Sequence, residues 1–574
     1  MKTRLRLLVR FACMFIAIAY SGFASAAYTL IPFDYPGSMQ TQGFGINGRL
    51  QVAGFTDKVG FIYDFVHKSF SVLPPGPSGL LAEPIGLNDL GISVGTLVDT
   101  STGNVVTGFV FDGSSYTLLD HGSGTQGRGI NNAGFITGFT ATGEGDTTTP
   151  WFYDPRPNQL IDIAIPGPFT IIQGINSAGD IVGSTRGLEP DQIFPGSVFG
   201  LYGFVRTLSG SITFFRVNGL KTRVRGINDL GQVVGSFDDN DGLTKGFITA
   251  APSGGGYVTV SIPATEYIVA PGYDVTFPLG INNAGFISGT VNDLAGTVSR
   301  GFVAVKTNYG GLWWNAGESG WGINVAHQGD SIFATWFTYD TTGKEWWLSM
   351  TANKTASNPD TYSGQLIQTH GPAFSAVPFD PAQVTRTVVG NGSLTFTDAN
   401  NGSFAYSVTT ASSVQAEAAV QQNKAITRQV FGALPTCSYA AQANPSATTN
   451  YSDLWWASPA QSEAGWGINL AHQGANIFAT WFTYDTDGTP LWLSSTLAQG
   501  AGQTFSGALI QTAGPAFSSV PFDPNQVTRT NVGNATLTFA DGNTGSFDYT
   551  AKGVTQHKTI IRQLFNPPAG TVCF

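Results

Sequence analysis

Charge is scarce in this chain: 11% of its 574 residues are Asp, Glu, Lys or Arg. Cysteine is scarcer, at three residues, and beyond residue 26 no run is long and apolar enough to cross a bilayer as a helix. Each shortage excludes something. Two cysteines remain outside the first 26 residues, without a His cluster beside them, and they make a poor structural zinc site; no metal and no cofactor is expected. The formal charge of -10 drops to -14 when the four basic residues of the leader described next are removed. Such a surface repels nucleic acid and anionic lipid, so neither is an expected partner. Glycine abounds instead, at 73 residues. The length is too great for one core, and several all-β domains are expected.

Residues 1–26 read as an export signal. Lys2, Arg4, Arg6 and Arg10 precede an apolar run from Phe11 to Tyr20, and Ala24-Ser25-Ala26 forms a cleavage box. The working protein is expected at the cell surface, in the medium or in the periplasm. Cys13 leaves with the leader, while Cys437 and Cys573 follow the ends of two matching modules and are a candidate disulfide.

From Gly45 to Gly289 one phrase returns six times: Gly, Ile or Leu, Asn, two free positions, usually Gly, then an aliphatic pair ending in Gly. It stands at Gly45-Ile46-Asn47, Gly86-Leu87-Asn88, Gly129-Ile130-Asn131, Gly174-Ile175-Asn176, Gly226-Ile227-Asn228 and Gly280-Ile281-Asn282. The copies lie about 41 to 54 residues apart, a propeller-blade spacing. Asn at the first position and Gly at the fourth of Asn131-Asn132-Ala133-Gly134 are what a tight hairpin turn asks for. The first copy has Leu50 in place of that Gly and is expected to turn differently. A third strand opens with Gly-Phe, or Pro150-Trp151 in the third copy, and segments such as Tyr116–Leu119, Ile212–Phe215 and Val258–Ser261 supply a fourth. The sixth copy stops after its third strand, and Tyr28–Ile31 is expected to complete it, since ring closure removes exposed strand edges. The expectation is a six-bladed β-propeller over residues 27–307, with an open solenoid as the rival.

The second half holds a different duplication. Trp313-Trp314 returns as Trp455-Trp456, the run Ile332–Asp340 returns unchanged as Ile477–Asp485, and Val384-Thr385-Arg386-Thr387 returns as Val527-Thr528-Arg529-Thr530. Each copy reads as about eight short segments separated by turns, with no helical periodicity. Two small antiparallel β-barrels of the avidin or lipocalin type are expected at residues 311–432 and 451–574, joined by a linker at 433–450, with a flattened sandwich as the rival.

The Gly-Ile-Asn phrase resembles the HAF family of extracellular repeats in bacterial exported proteins. The modules are similar to a Trp-rich tandem unit at the C-terminal ends of such proteins, on Glu318-Ser319-Gly320-Trp321-Gly322 and Arg428-Gln429-Val430-Phe431; the second copy departs at Glu463-Ala464-Gly465. Neither resemblance implies a reaction.

Chemical signatures are thin, and no catalytic residue is expected. Gly329-Asp330-Ser331 reads as a turn, because the other copy has Gly474-Ala475-Asn476 and no nucleophile elbow surrounds it. His327 and His472 read as hydrogen-bonded turn residues, and Asp238-Asp239-Asn240-Asp241-Gly242 as a solvated loop that misses calcium-loop spacing. Eleven of the twelve tryptophans lie in the modules. In Ile332–Tyr339 both alternating faces are bulky, so one set leaves the core for solvent or an interface. Indole faces suit sugar stacking, which makes Trp321, Trp336 and Trp347, their equivalents Trp466, Trp481 and Trp492, and Tyr339 and Tyr484 the candidate ligand residues. In the ring, the residue before each Gly-Ile-Asn varies; where it is Arg128 and Arg225, a channel lining would attract carboxylates or sulfated sugars. The function expected is an exported, non-enzymatic protein that binds a glycan or other extracellular polymer, two modules permitting bivalent attachment. A polymer hydrolase or lyase, or a purely structural envelope component, is the alternative.

Overall fold

The computed structural model describes residues 28–141, 147–167, 169–186, 200–240, 242–250, 258–262, 266–268, 275–293, 297–357, 360–409, 419–435, 437–440, 446, 448–565 and 570–573; the expected leader lies outside them. Strands joined by turns make up the whole of the described chain, with a few single 3-10 turns.

Each Gly-Ile-Asn phrase is a hairpin. Thr125–Ile130 pairs antiparallel with Ile136–Ala141, and Gly134 donates its N–H to the Asn131 carbonyl at 3.1 Å with φ +80. The first copy makes the same turn, contrary to expectation: Leu50 donates to the Asn47 carbonyl at 3.2 Å with φ +61. Its side chain is buried among Ile46, Phe65 and Phe286, so apolar packing holds a branched residue in a region that favours glycine.

The Asn does more than turn the chain. Its Oδ1 accepts the N–H groups two and four residues on, as Ala133 and Phe135 donate to Asn131. Its Nδ2 reaches the neighbouring repeat and donates to the backbone carbonyl of the next Asn. Asn47 bonds Asn88 at 3.1 Å, Asn88 bonds Asn131 at 3.2 Å, Asn131 bonds Asn176 at 3.0 Å, and Asn176 bonds Asn228 at 3.5 Å. Asn228 bonds Asn282 at 3.1 Å, and Asn282 returns to Asn47 at 2.9 Å. This closed circuit rules out the open solenoid. The phrase glycine is dictated by the same crowding, since a Cβ on Gly45 would lie 2.7 Å from the Ile85 carbonyl. At the closing glycine of each phrase an aromatic ring from the third strand lies opposite, Gly138 facing Trp151 and Gly289 facing Phe302, and both rings are fully buried.

The six-bladed propeller is corrected by the sheet order. Four repeats form sheets of their own, three of them four-stranded and one five-stranded, but the fifth and sixth share one eight-stranded sheet. The reason is a displaced strand. Val258–Ile262, expected to finish the fifth repeat, instead pairs in parallel with Ile212–Val217 of the fourth. Glu266–Ile268 takes the place beside Thr244–Ala250, and Thr244 bridges Val275 of the sixth repeat. Tyr28–Phe33 pairs antiparallel with Ser299–Lys306 and covers the outer edge of that sheet.

The second half is two closed eight-stranded barrels, which rules out the sandwich. The first runs from Gly311–Trp314 to Val420–Arg428, and Trp313 pairs with Arg428 across its seam. The second runs from Asp453–Ala457 to Val554–Arg562, with Trp455 opposite Arg562. The seam arginine is held by main-chain carbonyls: Arg428 donates to Ala399 at 3.0 Å, Asn308 at 2.7 Å and Gly310, and its guanidinium lies 5.0 Å from the Trp313 ring.

The barrels exchange parts. The loop after Asp360–His370 places Phe374 against Trp481 inside the second barrel, and the loop after Thr504–Ala513 places Phe517 against Trp336 and Trp346 of the first. Tyr549 donates to the Phe374 carbonyl and Tyr406 to the Phe517 carbonyl, both at 2.9 Å. Asn324 reaches Thr480 and Asn469 reaches Thr335, both at 3.0 Å. A disulfide joins Cys437 to Cys573, where two short strands pair.

Candidate functional site

The ring puts the variable residue before each Gly-Ile-Asn on its axis. Phe44, Ile85, Arg128, Gln173, Arg225 and Leu279, with the Gly and Ile or Leu that follow each, line one pocket of about 90 Å³. Each comes from the innermost strand of its repeat, just before the turn that the Asn circuit pins, so the backbone beneath the pocket is fixed by six identical anchors.

Arg128 and Arg225 share this small space. Both are crowded by protein while keeping part of their surface on the pocket, and the Nε of each is buried without a hydrogen-bond partner. Arg128 spends one Nη on Gln126 and lies 5.1 Å from the Phe139 ring. Neither forms an ion pair with an acid among the described residues. Burial lowers both guanidinium groups to about 10, with the charge of Arg225 adding to the effect at Arg128 and that of Arg223 adding at Arg225. Both stay cationic at neutral pH. Glu83 gives Arg128 partial compensation, and its own carboxyl is raised by burial and lowered by that arginine. Two guanidinium groups without an acid partner on one cavity are an arrangement that an anion completes.

The tryptophans stand differently from the expectation of exposed stacking platforms. Trp336 and Trp481 are buried inside the barrels, Trp336 among Phe404, Tyr406 and Phe517. Trp347 and Trp492 cross the barrel contact and donate to the Thr483 and Thr338 carbonyls, both at 3.0 Å. Tyr339 and Tyr484 are buried there too, donating to the Gly320 and Gly465 carbonyls at 2.7 and 2.6 Å, and burial raises both phenols to about 12. Trp321 and Trp466 are buried and bond Glu318 and Glu463, which Lys424 and Lys558 neutralise. The physical reason is the sister module: the second bulky face of each strand meets its counterpart and leaves solvent.

Trp347 of the first barrel and Trp466 of the second do come together, in a cleft of about 290 Å³ that Trp456 and Arg386 also line. The last two were not singled out from the sequence. Their only signal was recurrence, Trp456 as Trp314 and Arg386 as Arg529, and duplication alone explains recurrence.

The remaining candidates are structural. His327 Nδ1 accepts the Tyr309 N–H at 3.0 Å, and its Nε2 meets the Tyr362 hydroxyl at 3.2 Å. Burial, aided by Lys306 and Lys354, lowers it to about 3. His472 Nδ1 accepts the Tyr451 N–H. Asp238 pairs with Arg223 and Asp239 with Lys245; Asp241 lies outside the described residues.

No family model and no curated protein matches the chain. Among solved structures, it is similar to an extracellular domain assigned to a one component system from B. thetaiotaomicron, at 8% identity and a TM-score of 0.28, covering 94% of this chain and 79% of that one. The tricorn protease is similar at 10% identity and a TM-score of 0.29, covering 90% of this chain and 58% of that one. Likenesses this faint carry no argument about function. No helix among the described residues is long and apolar enough to cross a membrane.

Proposed function

We propose that this is an exported, non-enzymatic binding protein that takes an anionic group of an extracellular polymer or glycan into the axial pocket of its repeat ring. The observation that carries this reading is the pair of guanidinium groups, Arg128 and Arg225, sharing one cavity with unpartnered Nε atoms. Export is supported by the leader pattern and by a disulfide that an oxidising compartment sustains. Assignment of the first half to HAF-type repeats rests on the six copies of the phrase. A polymer hydrolase or lyase would need paired carboxylates facing the axis, and the pocket lining holds two guanidinium groups instead.

Calorimetry with glucuronate and with sulfate tests the reading. One saturable site per chain is expected at the ring, weakened at least tenfold in Arg128→Gln and again in Arg225→Gln, each with an unchanged melting temperature. Titrations that detect no such site, or variants that bind as the parent does, would overturn it.

A further inference from the structure

The cleft between the barrels carries chemistry that the fold does not use. Trp347 and Trp466 form its floor and are already satisfied, through bonds to the Thr483 carbonyl and to Glu463. Trp456 is not. Its ring is half-buried, and its Nε1 is buried without a hydrogen-bond partner. A buried donor left unmade is costly and rare in a folded protein unless something else accepts from it. At the lip, Arg386 is exposed and makes no ion pair among the described residues. A half-buried indole beside a free guanidinium is complementary to a sugar ring that presents C–H groups on one face and an anionic substituent.

The sister side holds the same set. Trp314 is half-buried, Trp321 and Trp492 are buried, and Arg529 is exposed and likewise without an ion pair among the described residues. The packing is exchanged between the barrels: Val384 lies on Gly465, which lines the cleft, and Val527 lies on Gly320. Arg386 and Arg529 each lie two residues beyond these valines.

We propose that the inter-barrel cleft at Trp456 and Arg386, and its counterpart at Trp314 and Arg529, are two saccharide sites for sugar units bearing a carboxylate or a sulfate. They are independent of the axial pocket. The ligand stacks on the half-buried indole and pairs its anion with the guanidinium. Neither site exists in a lone module, because the half-buried indole and the guanidinium of each come from different barrels.

Indole N–H resonances of the full chain read this directly. The Trp456 resonance, assigned by its loss in Trp456→Phe, is expected to shift saturably with trigalacturonate or with a sulfated carrageenan oligosaccharide, and the responding arm names the anion. Arg386→Gln should raise that midpoint at least tenfold without moving the melting temperature, with Arg386→Lys between the two. Arg529→Gln should leave the Trp456 midpoint alone and raise the one read at Trp314. Arg128→Gln should change neither, which separates this result from the fate of the axial site. A Trp456 resonance unmoved by both anionic probes, an Arg386→Gln midpoint equal to the parent's, or an equal midpoint with neutral cellohexaose would overturn the proposal.

Discussion

Asn282 shows how much one small side chain can hold. Its Oδ1 accepts the N–H groups of Ala284 and Phe286, while its Nδ2 donates to Asn47 and seals the ring. At roughly 1 kcal/mol per bond, Asn282→Ala should lower stability by about 2–4 kcal/mol in urea unfolding. Asn282→Asp keeps the acceptors and loses the donor, so it should fall between that variant and the parent. His327 gives a dependence on pH. Its folded value of about 3 lies below the unfolded 6.5, so the unfolded chain binds the proton first. Stability is therefore complete above pH 6.5 and falls with acid down to about 3, by about 1.4 kcal/mol for each pH unit. Unfolding measured at pH 7 and pH 5 should show this slope, and His327→Gln should flatten it while lowering the pH 7 value.

At the level of elements, the edge strand Tyr28–Phe33 and the two exchanged loops do work that no single bond does. Deleting residues 28–37 bares the edge of Ser299–Lys306 and removes Phe33 from its stack on Tyr63, 4.2 Å between centroids. The melting temperature should fall sharply, and light scattering should report association through the opened edge. Phe517→Ala leaves a void against Trp336 and Trp346 and should cost about 3–5 kcal/mol of barrel stability, read by chemical unfolding. Much at this scale was legible. Asn and Gly three apart gave five of the six hairpin turns, and the strandless end of the sixth repeat called for the N-terminal segment. What the residues did not show was the amide of each Asn donating to another repeat, since a partner 41 to 54 positions away, or 235 for the bond that closes the circuit, leaves no local pattern. Nor did Val258–Ile262 announce its sheet: its β-rich residues suit either edge, and the choice between them is tertiary.

For the whole molecule, duplication both revealed and concealed the design. Alternating bulky faces in Ile332–Tyr339 showed that one set had to leave the barrel interior. They could not show that it meets the sister copy, because a contact between two near-identical modules leaves the same residues in both. Arg386 and Trp456 were missed for that reason, whereas Arg128 and Arg225 stood out because their position varies between repeats. The disulfide fastens the tail to the segment between the barrels across 136 residues. In the chain-entropy account, replacing both cysteines with serine should cost about 5 kcal/mol, checked by unfolding with and without reductant. The exchange of Phe374 and Phe517 also sets a timetable. During synthesis the first barrel emerges with its mouth unstoppered and stays so until Phe517 has been made, and Cys437 waits for Cys573. The C-terminal half therefore matures all at once and late, and a chain cut short within the second barrel leaves the first one incomplete as well.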